Sequence, residues 1–124
     1  MSKTEINIPV ENILSSARKY QLYMGELDQL DFNYDVKTQD SVLMNLIVIG
    51  EQVTKVIAYH PEFVEANKGI PWQQIKGSRN RVAHGYFDVD LGLIWNTVQN
   101  HLPHLIEMLE NPHYPAPTND SPEP

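Results

Sequence analysis

The sequence predicts an all-α fold, a bundle of four main helices with one short extra helix. Three observations lead there. Apolar residues recur in steps of three and four along most of the chain. No segment shows the convincing two-residue alternation of a half-buried strand. The connections between apolar stripes are mostly short and carry the residues that start and stop helices.

Ile13, Ala17, Tyr20, Met24 and Leu27 form one stripe, which predicts a first helix starting near Pro9 or Val10. Residues 31–37 read as a loop. Thr38 fits an N-cap, with Asp40 in the first turn to suit the helix dipole. The second helix then runs to about Tyr59 and carries two stripes: Val42, Leu46, Ile49, Val53 and Val56, and Leu43, Ile47, Gly50, Thr54 and Ile57. A helix apolar on two sides sits at a bundle centre, in a subunit interface, or in both. His60-Pro61 stops it. Residues 61–68 fit a short helix closed by Gly69. Pro71 suits the first turn of a third helix from Trp72 to about Ala83, weakened at Gly77 and ended at Gly85. Asp88 or Asp90 caps a fourth helix with the stripe Leu91, Ile94, Val98, Leu102, Leu105 (or Ile106) and Leu109, in which Pro103 should introduce a bend. Residues 1–110 therefore read as the helical domain. Residues 111–124, with five of the nine prolines and almost nothing apolar, read as a disordered tail.

At 124 residues the chain fits one domain with a small but sufficient core. It has no cysteine, hence no disulfide frame, thiolate nucleophile or Cys-ligated metal, which suits a cytoplasmic protein. The most apolar run, 42–50, is too short to cross a bilayer, and no signal-like N-terminus is present. A net charge of −7 argues against a general nucleic-acid binder. The distribution argues otherwise locally. Between Glu65 and Asp88 there is no acidic residue, while Lys68, Lys76, Arg79 and Arg81 fall there, followed by His84. Charge alone leaves open whether this is a site or an ordinary solvated face.

Arg79 and His84 are five residues apart, about 140° of rotation on a straight helix, so a shared face is not automatic. A helix ending near His84 would let the long arginine reach the same space. An imidazole at a helix C-terminus is favoured when protonated and titrates near neutral pH. Such a histidine beside a fixed guanidinium suits phosphodiester cleavage without metal. The histidine would move a proton at the ribose 2′-hydroxyl or the leaving 5′-oxygen, and the arginine would hold the phosphate. By spacing alone the pair fits equally a surface arginine and a helix-capping histidine. Tyr86, just past Gly85, stands at the mouth of any site His84 makes, or packs over the helix end.

Other candidates carry less chemistry. His101 and His104 stand at i, i+3 without an obvious third metal ligand. Glu51 fits an ion pair with Lys55 at i+4, or a support for the arginine–histidine segment. Trp72 and Trp95 read as core or interface anchors, with base stacking a lesser option for Trp72.

The segment Arg79-Asn80-Arg81-Val82-Ala83-His84-Gly85-Tyr86 has the pattern R-x4-H-x-Y. With "TQDSVLMNLIVIGE" at 38–51, "IPWQQIKGSRNRVAHGYFDVD" at 70–90 and "IWNTVQNHLPHL" at 94–105, it resembles the HepT-like ribonucleases of the HEPN class over roughly three-quarters of the chain. The resemblance implies an antiparallel helical bundle forming a two-fold dimer, with the site where two such segments meet. It implies a toxin of a type VII-like toxin–antitoxin pair, cleaving RNA without metal or cofactor and leaving a 2′,3′-cyclic phosphate. Its partner would be an MntA-type nucleotidyltransferase that transfers AMP to the tyrosine. By position Arg79 and His84 are then catalytic, Asn80 supporting, and Tyr86 the AMP acceptor. A second reading makes the chain a non-catalytic, substrate- or nucleotide-binding subunit of a two-component nucleotidyltransferase. A third makes it a structural dimer with a relic pattern. The Arg79/His84 pair favours the nuclease, because an adaptor has no need of it.

Overall fold

The protein's structure, a computed structural model, describes residues 3–85 and 88–115 and, within them, the side chains of all but Lys3, Thr4 and His84. Among these residues every regular element is helical: α1 (Lys3–Met24), α2 (Gln29–Tyr34), α3 (Val36–Tyr59), α4 (Pro61–Ala66), α5 (Trp72–His84), α6 (Leu91–Asn96), a π turn (Thr97–His101) and α7 (Leu102–Glu110). The four main helices expected are α1, α3, α5 and the composite of α6, the π turn and α7.

α1 begins earlier than Pro9, which lies inside it. Proline removes only the bond to the Glu5 carbonyl. The stripe extends upstream through the buried Ile6 and Val10, and that burial offsets the loss. The expected loop at 31–37 also differs. Asp28 caps α2 by accepting the Asp31 N–H at 2.8 Å, and Phe32 is fully buried beneath it. Asp35, not Thr38, then caps α3. Its carboxylate accepts the Thr38 backbone N–H at 3.0 Å and hydroxyl at 2.7 Å, and these bonds hold it below the ordinary carboxylate range.

α3 is the central helix. Val42, Leu46, Ile49, Val53 and Val56 are all buried, and α1 and α5 pack along it. Its 24 residues are long and apolar enough to cross a membrane by length and composition alone, longer than the run 42–50 suggests. Here its buried stripe packs on α1 and α5, while Val36, Met44 and Tyr59 stay exposed.

In the last helix the irregularity is a π turn just before Pro103. The Leu102 N–H bonds the Thr97 carbonyl five residues back, and Pro103, five residues past Val98, has no N–H to give that carbonyl. The buried Tyr20 hydroxyl donates to the Val98 carbonyl instead, tying α1 to the π turn. Beyond α7 the chain folds back. The Asn67 side chain accepts the His113 N–H at 2.8 Å and donates to its carbonyl at 2.6 Å, and the Tyr114 ring lies 5.8 Å from Phe63. Residues 116–124 lie outside the described residues.

Candidate active site

α5 starts on an anchor. Trp72 is buried, its indole N–H donates to the Asn67 carbonyl at 3.1 Å, and its ring meets Phe63 edge-on at 6.2 Å. That burial makes Trp72 a core residue and removes it as a base-stacking platform. Trp95 packs on Phe32 at 5.7 Å. From Trp72 the inward face of α5 runs through Ile75, Arg79 and Val82 in steps of three, four and three. Arg79 thus occupies a slot where an apolar residue would ordinarily sit.

The partner helix makes that possible. Gly50 of α3 lies directly under the arginine. A Cβ built on Gly50 would fall 2.1 Å from Arg79 Cβ and 2.6 Å from its Cγ. Only a glycine lets the two helices approach this closely, with the arginine stem lying on the α3 backbone. The guanidinium emerges at the edge, its side chain 30% exposed. There Nη2 donates to Glu51 Oε1 at 3.4 Å and Nη1 to Asn80 Oδ1 at 3.2 Å. Glu51 is thereby paired across the helices and not with Lys55 along its own helix. Asn80, the next residue along α5, is thus the acceptor for Nη1.

The relation to His84 is different. α5 continues unbroken through His84, and Gly85 caps it, its N–H bonding the Arg81 carbonyl at 3.0 Å. The helix therefore ends at His84, where Gly85 suggests it should. The five-residue spacing corresponds to about 140° of helix rotation, and the Arg79 guanidinium is turned toward Glu51 on α3. The His84 side chain and the whole of Tyr86 lie outside the described residues.

The other cations of the acid-free segment make contacts of their own. Lys68 pairs with Glu65 at 3.9 Å, both well exposed. Arg81 bonds the Ser78 hydroxyl at 3.2 Å, and neither Arg81 nor Lys76 has an acidic partner among the described residues. His101 and His104 are exposed and gather no third metal-binding side chain among the described residues. The role of Gly50 was not foreseen, whereas support of the arginine–histidine segment was one of the two readings open for Glu51. The available signal was a charged residue in an apolar stripe, facing a helix whose own stripe holds a glycine.

The family model described as ribonuclease HepT-like matches residues 13–111. A "probable ribonuclease HepT" of Thermococcus cleftensis is 30% identical over 96 residues, 77% of this chain and 84% of that protein. A "gamma-glutamylcyclotransferase and putative RNase" of Methanocaldococcus jannaschii is 30% identical over 105 residues, 85% of this chain but only 46% of that longer protein. A "putative RNase" of the same organism is 29% identical over 111 residues, covering 89% of this chain and 88% of the relative. No solved structure matches.

Proposed function

The chain belongs to the ribonuclease HepT-like family, and from that premise we propose that it is the toxin of a toxin–antitoxin pair, an endoribonuclease that cuts RNA without a metal ion. The observation that carries this reading is Arg79 itself. It is a guanidinium held at the surface by a glycine beneath its stem and by two hydrogen bonds at its head, in the segment of the chain that lacks acidic residues. A planar donor fork fixed in that way binds a phosphodiester in two places at once.

In this mechanism Arg79 grips the scissile phosphate and stabilises the charge that gathers on its oxygens. His84 takes the proton of the ribose 2′-hydroxyl, that oxygen attacks phosphorus, and the 5′-oxygen leaves with a proton, giving a 2′,3′-cyclic phosphate. One histidine cannot act as base and acid in one step. That favours a two-fold dimer in which the segment of one protomer completes that of the other. The site works in the cytoplasm, and an MntA-type nucleotidyltransferase silences it by transferring AMP to Tyr86.

The test combines mass and activity. Light scattering at micromolar concentration should give twice the chain mass. RNA cleavage should persist in EDTA and fall about a hundredfold or more in His84→Ala with the fold intact. Activity that requires a divalent ion, or that survives in correctly folded His84→Ala, overturns the mechanism. A folded dimer with no RNA cleavage that binds a nucleotidyltransferase and its nucleotide would favour the non-catalytic subunit.

A further inference from the structure

Glu51 follows Gly50 on α3, so the turn that admits the stem of Arg79 also carries the carboxylate that meets its head. Its purpose is not obvious from stability. The Glu51 side chain is 51% exposed and that of Arg79 30%, and ion pairs so open to water contribute little to folding. Nor does it serve substrate affinity, because a carboxylate beside a phosphate-binding arginine repels phosphate.

What the pair does provide is orientation. An arginine side chain is long and flexible, and a guanidinium must present its plane to a phosphate to bind it in two places. The stem of Arg79 is fixed on Gly50, Nη1 is fixed by Asn80, and Nη2 by Glu51. Two of its five N–H donors are thereby engaged, and the other three have no partner among the described residues.

Resting on the ribonuclease reading, we propose that Glu51 is a positioning residue for RNA cleavage, fixing the Arg79 guanidinium over Gly50 so that its free N–H groups meet the scissile phosphate. The benefit falls on the transition state, where aim matters most, and the ground state pays through repulsion.

The predicted signature is a split between kcat and KM. In the full chain, Glu51→Ala should lower kcat about tenfold to a hundredfold while KM stays level or falls. Glu51→Gln keeps an acceptor oxygen at the same place and should recover kcat to within about threefold of the parent. Both variants should melt within about 5 °C of the parent, as expected for an exposed pair. An independent reading comes from side-chain NMR of 15N-labelled arginine. The Arg79 Nε–H should be restrained in the parent and in Glu51→Gln, and averaged in Glu51→Ala. Parental kcat in Glu51→Ala overturns the proposal. So does faster cleavage, which would make Glu51 an electrostatic brake, or a Glu51→Gln as impaired as Glu51→Ala, which would make charge and not aim the cause. If the parent itself cuts no RNA, the ribonuclease reading fails and takes this role with it. The NMR comparison still decides separately whether the carboxylate holds the guanidinium.

Discussion

Gly50 on α3 and Arg79 on α5 occupy one space: the hydrogen of the glycine is all that separates the α3 backbone from the arginine stem. The effect of Gly50→Ala follows from two opposing magnitudes. Alanine in a helix interior gains about 1 kcal/mol over glycine. Overpacking a tight contact costs about 1–3 kcal/mol, and this one is severe, because the clash is with a Cβ and not with the tip of a flexible chain. The whole of α5 must move. We expect Gly50→Ala to be destabilised by about 1–2 kcal/mol in urea unfolding and to lose RNA cleavage through a displaced Arg79. Unchanged stability together with full cleavage would mean that the close approach does not exist.

Gly77 gives the control on the same helix. A Cβ there meets nothing within 4 Å. Gly77→Ala should therefore show only the helix gain, about 0.5–1 kcal/mol of added stability. A destabilised Gly77→Ala would show that this face of α5 is covered, by a second protomer for example.

Arg79→Lys separates charge from shape. Lysine keeps the positive charge and the apolar stem but is a point donor that cannot hold Glu51, Asn80 and a phosphate in one plane. Its cleavage rate should fall about as far as that of Arg79→Ala, by a hundredfold or more, while nitrocellulose-filter binding of RNA declines less. If Arg79→Lys cleaves like the parent, the bidentate grip is not used.

The core was legible and the site only half so. The stripes Ile13-Ala17-Tyr20-Met24 and Val42-Leu46-Ile49-Val53-Val56 lie buried where their periodicity puts them, while Leu27, the last residue of the first stripe, falls past the end of α1 and is only half-buried. Helix starts were less legible. Pro9 and Thr38 both offered good local start signals, yet burial of Ile6 and capping by Asp35 decided the boundaries. The Glu51–Arg79 contact joins residues 28 apart in sequence. Sequence offers Glu51 either a partner at Lys55 on its own helix or a role beside the arginine–histidine segment, and the close approach at Gly50 decides for Arg79. The backfolded end of the chain depends in the same way on Asn67, whose amide reads both backbone groups of His113.

Tyr86→Phe bears on the proposed regulation. No step of the proposed chemistry uses the phenol, so cleavage should stay close to parental. AMP on Tyr86 would put a phosphate within the acid-free segment that holds Arg79, occupying the arginine or repelling RNA. Intact-mass analysis after co-production with the nucleotidyltransferase should show whole AMP units on the parent and none on Tyr86→Phe. An adduct on another residue, or complete inhibition without adduct, would mean the antitoxin caps the toxin.

Tyr20 supplies a prediction about stability and pH. Its hydroxyl donates to the Val98 carbonyl, which the π turn and Pro103 leave without a helical donor, and burial pushes the phenol up to about 12. In the unfolded chain a tyrosine titrates near 10. Below pH 10 both states keep the proton and the stability from this group is complete. Between about 10 and 12 the unfolded chain releases the proton and the folded chain does not, so stability falls as pH rises. The loss should reach on the order of 2 kcal/mol by pH 12. Tyr20→Phe removes the bond and leaves a buried carbonyl unpaired, which costs about 1–3 kcal/mol at neutral pH. It also removes the titration. The gap in stability between parent and Tyr20→Phe, measured by urea unfolding, should therefore be widest near pH 7 and shrink steadily above pH 10. Parallel stability profiles for the two proteins across that range would show that the phenol is not held protonated in the fold, and with it the link between α1 and the π turn would fail.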